Sequence, residues 1–166
     1  MQALVKDGQL VQSDPWTLVG KEVESLEAAK ALGDHLLLPL ELWLDSAEKN
    51  NYDCSLGVWI DSDEDPDRLL QSLDKLEIIA INFPVFTDGR GYSHASRLRL
   101  NHAFKGELRA IGDVLRDQLQ FYQRCGFSSF AMRSDVDAVA AIDSLSDFSI
   151  HYQDATDNYL PPFARR

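Results

Sequence analysis

Apolar positions along the 166-residue chain fall into short runs separated by amphipathic segments. "ALVKDGQLV" is two brief alternating runs around Asp7-Gly8, the signature of a tight hairpin. "DPWTLVG" adds a candidate strand. "EVESLEAAKALGD" sets Val23, Leu26, Ala29 and Ala31 roughly on one side and stops at Gly33, as a helix does. A regular rhythm follows. "HLLLPLELWL" begins as a buried strand, and "SAEKN" closes a short helix. "LGVWID" is a strand, and Pro66 opens the helix "PDRLLQSLDKL" where its missing N–H costs nothing. "EIIAINFPVF" is a strand and "SHASRLRLNHAF" a helix. "ELRAIG" is a strand and "DVLRDQLQFYQRCG" a helix ending at Gly126. "FSSFAMR" is a strand, "SDVDAVAAIDSL" a helix and "DFSIHYQ" a last strand.

Strands alternating with helices at this spacing predict an α/β fold with a mainly parallel sheet. About five βα units are expected, in an open doubly wound or half-barrel-like arrangement behind an N-terminal β-hairpin. One domain is expected over 1–153, with the hairpin in 1–20 and the βα units in 36–153. Residues 154–166, "DATDNYLPPFARR" with two prolines, read as an extended C-terminal arm.

Composition narrows the function classes. Hydrophobic residues make up 45%, enough for a core. The net charge is −11, and an acidic surface repels phosphate backbones, so no nucleic-acid partner is expected. The longest apolar run, "LLLPL", is too short to span a membrane. Cys54 and Cys125 stand far apart without a CxxC motif, which argues against a structural zinc or an iron–sulfur cluster. The opening residues lack a basic-then-apolar leader pattern, so a cytoplasmic protein with reduced thiols is expected.

Ligands of α/β folds sit at the carboxyl ends of parallel strands. The strand readings place Asp61 and Asp63, Thr87 to Ser93, Gly112 and Asp113, and Arg133 and Asp135 there. Residues 87–133 hold eight Lys/Arg against four Asp/Glu, a basic segment in an acidic chain. Gly89 and Gly91 are suited to positive φ and close backbone approach. Arg90 can fork onto an anion, and Ser93 can cap the next helix or donate to an oxyanion. The ligand-binding candidates are Thr87, Asp88, Gly89, Arg90, Gly91, Tyr92 and Ser93, joined by Arg109 and Gln118. In a catalytic reading Arg90 and Arg109 clamp an anion and Asp88 or Asp113 acts as general acid–base.

A structural reading stands beside each of these. Glu107 and Arg109 share a strand face and can pair, Asp113 can cap a helix, and Gln118 can pack. "DSDEDPD" has alternating acids, but Pro66 replaces the glycine of a calcium loop and Ser72 its last carboxylate, which leaves a solvated turn. His94 and His102 stand eight positions apart, about 12 Å along a helix, too far for these two alone to hold one metal ion, so no metal site is expected. Ser93, His94 and Asp88 are triad residue types without triad geometry. Cys125 at a helix carboxyl end has a raised thiol pKa. No cofactor motif is identifiable.

At "NFPVFTDGRGYSHASRLR", "GELRAIGDVLRDQLQFYQRCGF" and Tyr152-Gln153 the chain resembles a bacterial family of uncharacterised proteins. Its members often carry the loose label oxidoreductase, and their genes sit beside assimilatory sulfite reductase and phosphoadenylyl-sulfate reductase. The resemblance covers roughly residues 36–153. Where this chain has His94 the family pattern often has glutamine. The resemblance implies an accessory protein of sulfate or sulfite assimilation that binds an anionic ligand, or one of those two reductases, at the strand-end rim. A small enzyme acting on an anionic sulfur-containing or phosphorylated metabolite is the alternative. A free sheet edge and the arm also allow a homo-oligomer.

Overall fold

A computed structural model describes residues 3–46, 53–145 and 155–156. The expected last strand "DFSIHYQ", the end of "SAEKN" and most of the C-terminal arm lie outside the described residues.

Among the described residues, eight strands form one sheet: β1 (Leu4–Lys6), β2 (Gln9–Val11), β3 (Thr17–Leu18), β4 (His35–Pro39), β5 (Ser55–Asp61), β6 (Ile78–Phe83), β7 (Glu107–Gly112) and β8 (Ser129–Ala131). The helices are α1 (Leu26–Lys30), α2 (Leu40–Ser46), α3 (Arg90–Leu100), α4 (Leu119–Arg124) and α5 (Ala138–Ser144). Tighter 3-10 stretches occupy Pro66–Lys75 and Arg116–Gln118. The α/β class is as expected, but the sheet is mixed. Strands β3 to β8 are parallel, while the hairpin β1–β2 adds antiparallel to β8.

The strand order, β2-β1-β8-β7-β6-β5-β4-β3, runs monotonically through the parallel part. Right-handed crossovers that always step the same way put every connecting helix on one face. A doubly wound sheet reverses its order and covers both faces, so this is the half-barrel arrangement. Chain length requires the curl. Residues 12–16 join β2 at one edge to β3 at the other. Seven interstrand spacings of about 4.8 Å make an arc of about 34 Å. Six extended peptide steps reach only about 21 Å. That is the chord of a half circle with such an arc, so the sheet bends through at least about half a turn.

Strand alternation separates the two faces. Leu36, Leu38, Val58, Ile60, Ile79, Ile81, Phe83, Leu108, Ala110 and Phe130 point outward into the helix layer and form the main core. An aromatic set closes that core: Phe83 meets Tyr122 edge-on at 4.8 Å, and Tyr122 meets Phe127 edge-on at 5.4 Å. Leu37, Trp59, Ile78, Ala80 and Ile111 form a smaller inner cluster, against which Trp16 of the crossing strap packs. Trp16 also meets His35 edge-on at 5.5 Å.

Local chemistry explains the helix starts. The Ser25 side chain accepts from Ala28 N–H ahead of α1, and the Asp65 side chain accepts from Asp67 N–H with Pro66 just inside. Two expectations need correction. Helix α3 starts at Arg90, so Ser93 lies within its first turn and caps nothing. Asp113 does not open a helix; an extended Leu115 intervenes before the 3-10 turn.

Gly57 faces the inside of the curl, where an added Cβ would overlap the Ile78 side chain and lie 2.8 Å from Leu37 Cδ2. Gly57→Ala is therefore expected to cost about 1–3 kcal/mol in urea unfolding. Gly89→Ala, with open space around it and φ −81°, is the matched control and should be close to neutral.

Candidate functional site

The carboxyl ends of β3 to β8 share one rim. Lys21 follows β3, and its Nζ donates to Asp61 at 2.6 Å and Glu64 at 3.2 Å. Asn82, at the end of β6, donates to the other Asp61 oxygen at 2.6 Å, and Asp61 N–H donates to Glu64 at 2.7 Å. Burial pushes the Asp61 carboxyl up, but Asn82 and Lys21 outweigh it and hold it below its ordinary value. The Asp61 hydrogen bond raises Lys21 in turn. The "DSDEDPD" turn is thus tied down at Asp61 and Glu64, while its Asp63 and Asp65 stay exposed to solvent. Its Asp67 accepts from His102 at 3.0 Å and pairs with Arg97 at 3.3 Å.

The loop after β6 carries a second pairing. Arg90 donates to Asp88 through Nε at 3.0 Å and Nη2 at 2.7 Å, and the Ser62 hydroxyl donates to the same carboxylate at 2.5 Å. Arg90 N–H also donates to Asp88, at 3.2 Å, so this carboxylate supports the start of α3 in place of a cap from Gly89. These hydrogen bonds, Arg90 first, hold the Asp88 carboxyl well below the usual carboxylate range. His94 Nε2 lies 2.9 Å from the Ser62 carbonyl oxygen. Gly89 and Gly91 both lack positive φ. Gly91 is needed for close packing instead: an added Cβ would lie 2.6 Å from the Phe83 ring.

Asp113 accepts from Phe86 N–H at 2.9 Å and from Arg133 at 2.8 Å, while Arg133 also forks onto Asp135 at 2.6 and 2.9 Å. Gln118 Nε2 donates to the Phe86 carbonyl at 3.1 Å. Loop 84–89 is therefore clamped from both sides, and it holds Val85 and Phe86 about half exposed.

The expected candidates divide into four places. Asp88 and Arg90 stand on the rim, with Thr87 and Gly89 exposed beside them. Tyr92 and Ser93 face a groove between α3 and α4. Gln118 sits under Phe86. Arg109 lies three residues back from the carboxyl end of β7, on the inner face, and is 4% exposed. It forks onto Asp14 of the strap at 2.6 and 3.2 Å and onto Glu107 at 2.9 Å. An Arg90–Arg109 clamp is not formed, because strand alternation turns Arg109 into the curl while Arg90 begins a helix. Burial pushes the Glu107 carboxyl up, but Lys6, Ser129 and Arg109 outweigh it and hold it down. Burial also raises the Cys125 thiol.

Lys21, Ser62, Glu64 and Asn82 were not singled out from the sequence. Asn82, an amide in the apolar run "IIAINF", was the available signal. A groove of about 380 Å³ opens on this half of the rim, bordered by Lys21, Glu24, Glu41, Asp45 and Glu64. Its four carboxylates face an ammonium that Asp61 and Glu64 already hold, so the groove is electronegative and repels anions.

Two substitutions separate the networks. Arg109→Ala leaves Glu107 and Asp14 without their shared cation and is expected to cost about 3–5 kcal/mol in denaturant unfolding. Asp88→Asn tests the rim through pH. A depressed folded-state pKa stabilises above the ordinary carboxylate pKa, and that contribution is lost as pH falls through it. The gap in stability between wild type and Asp88→Asn should be full at pH 7 and shrink below about pH 4.

Comparison with curated proteins gives no match for this chain. A family model described as a bacterial protein of unknown function (DUF934) matches residues 57–163. The matched span runs from within β5 through α5 and takes in Asp88, Arg90, Arg109, Asp113 and Gln118. The chain belongs to this bacterial family of unknown function.

Proposed function

We propose that the protein is a non-catalytic accessory that docks on an enzyme of assimilatory sulfate or sulfite reduction through the loop after β6. The observation that carries this reading is the presentation of Val85 and Phe86, 52% and 48% exposed, on a loop whose backbone is clamped by Asp113 and Gln118. A rigid, exposed aromatic is the residue class that dominates binding energy in protein interfaces. The alternative of acid–base catalysis has less support. Arg90 and Ser62 keep Asp88 ionised and stabilised, which makes it a weak proton acceptor at neutral pH. The family resemblance supplies the partner class: sulfite reductase or phosphoadenylyl-sulfate reductase.

The test is retention of each purified reductase by the immobilised full chain at moderate salt. Wild type should retain one of them, and Val85→Ser/Phe86→Ser should weaken that retention by about tenfold or more. The melting temperature should barely move, since both side chains are exposed. If neither reductase is retained, the partner class is wrong. Equal retention by the double variant would remove the loop from the contact.

A further inference from the structure

A further cavity, of about 580 Å³, opens at the amino ends of β6 and β7, at the opposite end of the sheet from the rim. The 3-10 stretch Pro66–Lys75 and the following Leu76 form one wall, and the segment 102–106 forms the other. Its volume falls in the range of small-molecule sites, roughly 300–1,000 Å³. Most of the lining is apolar: Leu70, Leu73, Leu76 and Phe104 face it, and Leu70 is 43% exposed. Covering such a side chain with a ligand is favourable.

Both walls are fixed by contacts of the protein's own. His102 donates to Asp67 at 3.0 Å and ties one wall to the other. Arg99 donates to the Phe104 and Gly106 carbonyls at 2.7 and 2.8 Å. These bonds hold the turn in which Ala103 takes φ 54°, a left-handed conformation that disfavours a side chain. A preformed cavity spares a ligand the cost of ordering its site.

Two opposite charges border the apolar lining. Asp74 comes from one wall and Lys105 from the other, and both are exposed. Among the described residues neither forms an ion pair, with the other or elsewhere. At the rim, by contrast, Lys21, Arg90 and Arg133 are each held by carboxylates. A ligand with a single charge would gain one of the two groups and be repelled by the other. A molecule that carries both charges gains both.

We propose that this cavity binds a small zwitterion with an apolar body, its ammonium toward Asp74 and its carboxylate toward Lys105. An apolar amino acid and a short peptide of apolar residues share that chemistry. The leucines and Phe104 supply most of the affinity by burying the apolar body. The two charges set its orientation and add modestly, because both are exposed.

Calorimetric titration of the full chain with leucine, dileucine and trileucine tests it. At least one should bind with a Kd below about 1 mM, and the tightest distinguishes amino acid from peptide. Acetylating the amino end or amidating the carboxyl end of that probe should each weaken binding about three- to fivefold. Asp74→Asn should weaken the free probe by the same factor and leave the acetylated one unchanged. Lys105→Gln should do the same for the free and amidated probes. Both side chains are exposed, so the melting temperature of each variant should match wild type. No binding by any of the three probes, or an affinity for the free probe that either substitution leaves unchanged, would overturn the proposal.

Discussion

The reach of residues 12–16 governs how far apart the edge strands β2 and β3 can stand, and much of the architecture depends on it. A flat eight-stranded sheet would hold those edges beyond the span of the link. The curl brings them within reach and gives the sheet an inner face, which the strap then crosses. Asp14 and Trp16 fill that face, one by forking onto Arg109 and the other by packing on the inner apolar cluster. Gly57 follows from the same constraint, since neighbouring side chains crowd together on the inside of a bend.

Charge pairing is the second theme. The chain carries a net −11, yet the rim at the strand carboxyl ends does not behave as a field of free acids. Lys21 holds Asp61 and Glu64, Arg90 holds Asp88, and Arg133 holds Asp113 and Asp135. Each pair joins loops that follow different strands or stiffens one loop. Exposed pairs of this kind add little stability individually, but they restrict loop conformations. A stiff rim that displays Val85 and Phe86 suits recognition better than chemistry, because a reacting carboxylate or guanidinium needs a valence left over for its substrate.

Much of this was legible in the sequence where the signal was local. Strands β4 to β8 announce themselves by alternating or wholly apolar runs, Asp7-Gly8 by its turn chemistry, and Pro66 by its place at a helix start. Asp88 and Arg90 stood out through the two glycines and the local excess of positive charge. The partnerships were not legible, because they join residues far apart in sequence. Ser62 reaches Asp88 across 26 positions, Asp113 reaches Phe86 across 27, and Arg109 reaches Asp14 across 95. Periodicity could show that Arg109 shared a face with Glu107. Which face that was, and what crossed it, depended on strand order. Helix α3 begins three residues before the expected start because the Asp88 carboxylate supplies the N-terminal support expected of Ser93.

The placement of the hairpin sets an order of assembly. β1 and β2 lie at the start of the chain, yet their sheet neighbour is β8, with Leu4 opposite Ala131. β4 to β8 can each add beside the strand just before them, through short-range contacts. The hairpin cannot seat until β8, the last of the described strands, is in place. A two-stranded ribbon is barely stable alone, and loop closure makes such long-range pairings late. During synthesis β1 and β2 emerge before β8 yet find their place only after it, and the strap that follows them closes across the inner face when β8 is ready to receive the hairpin.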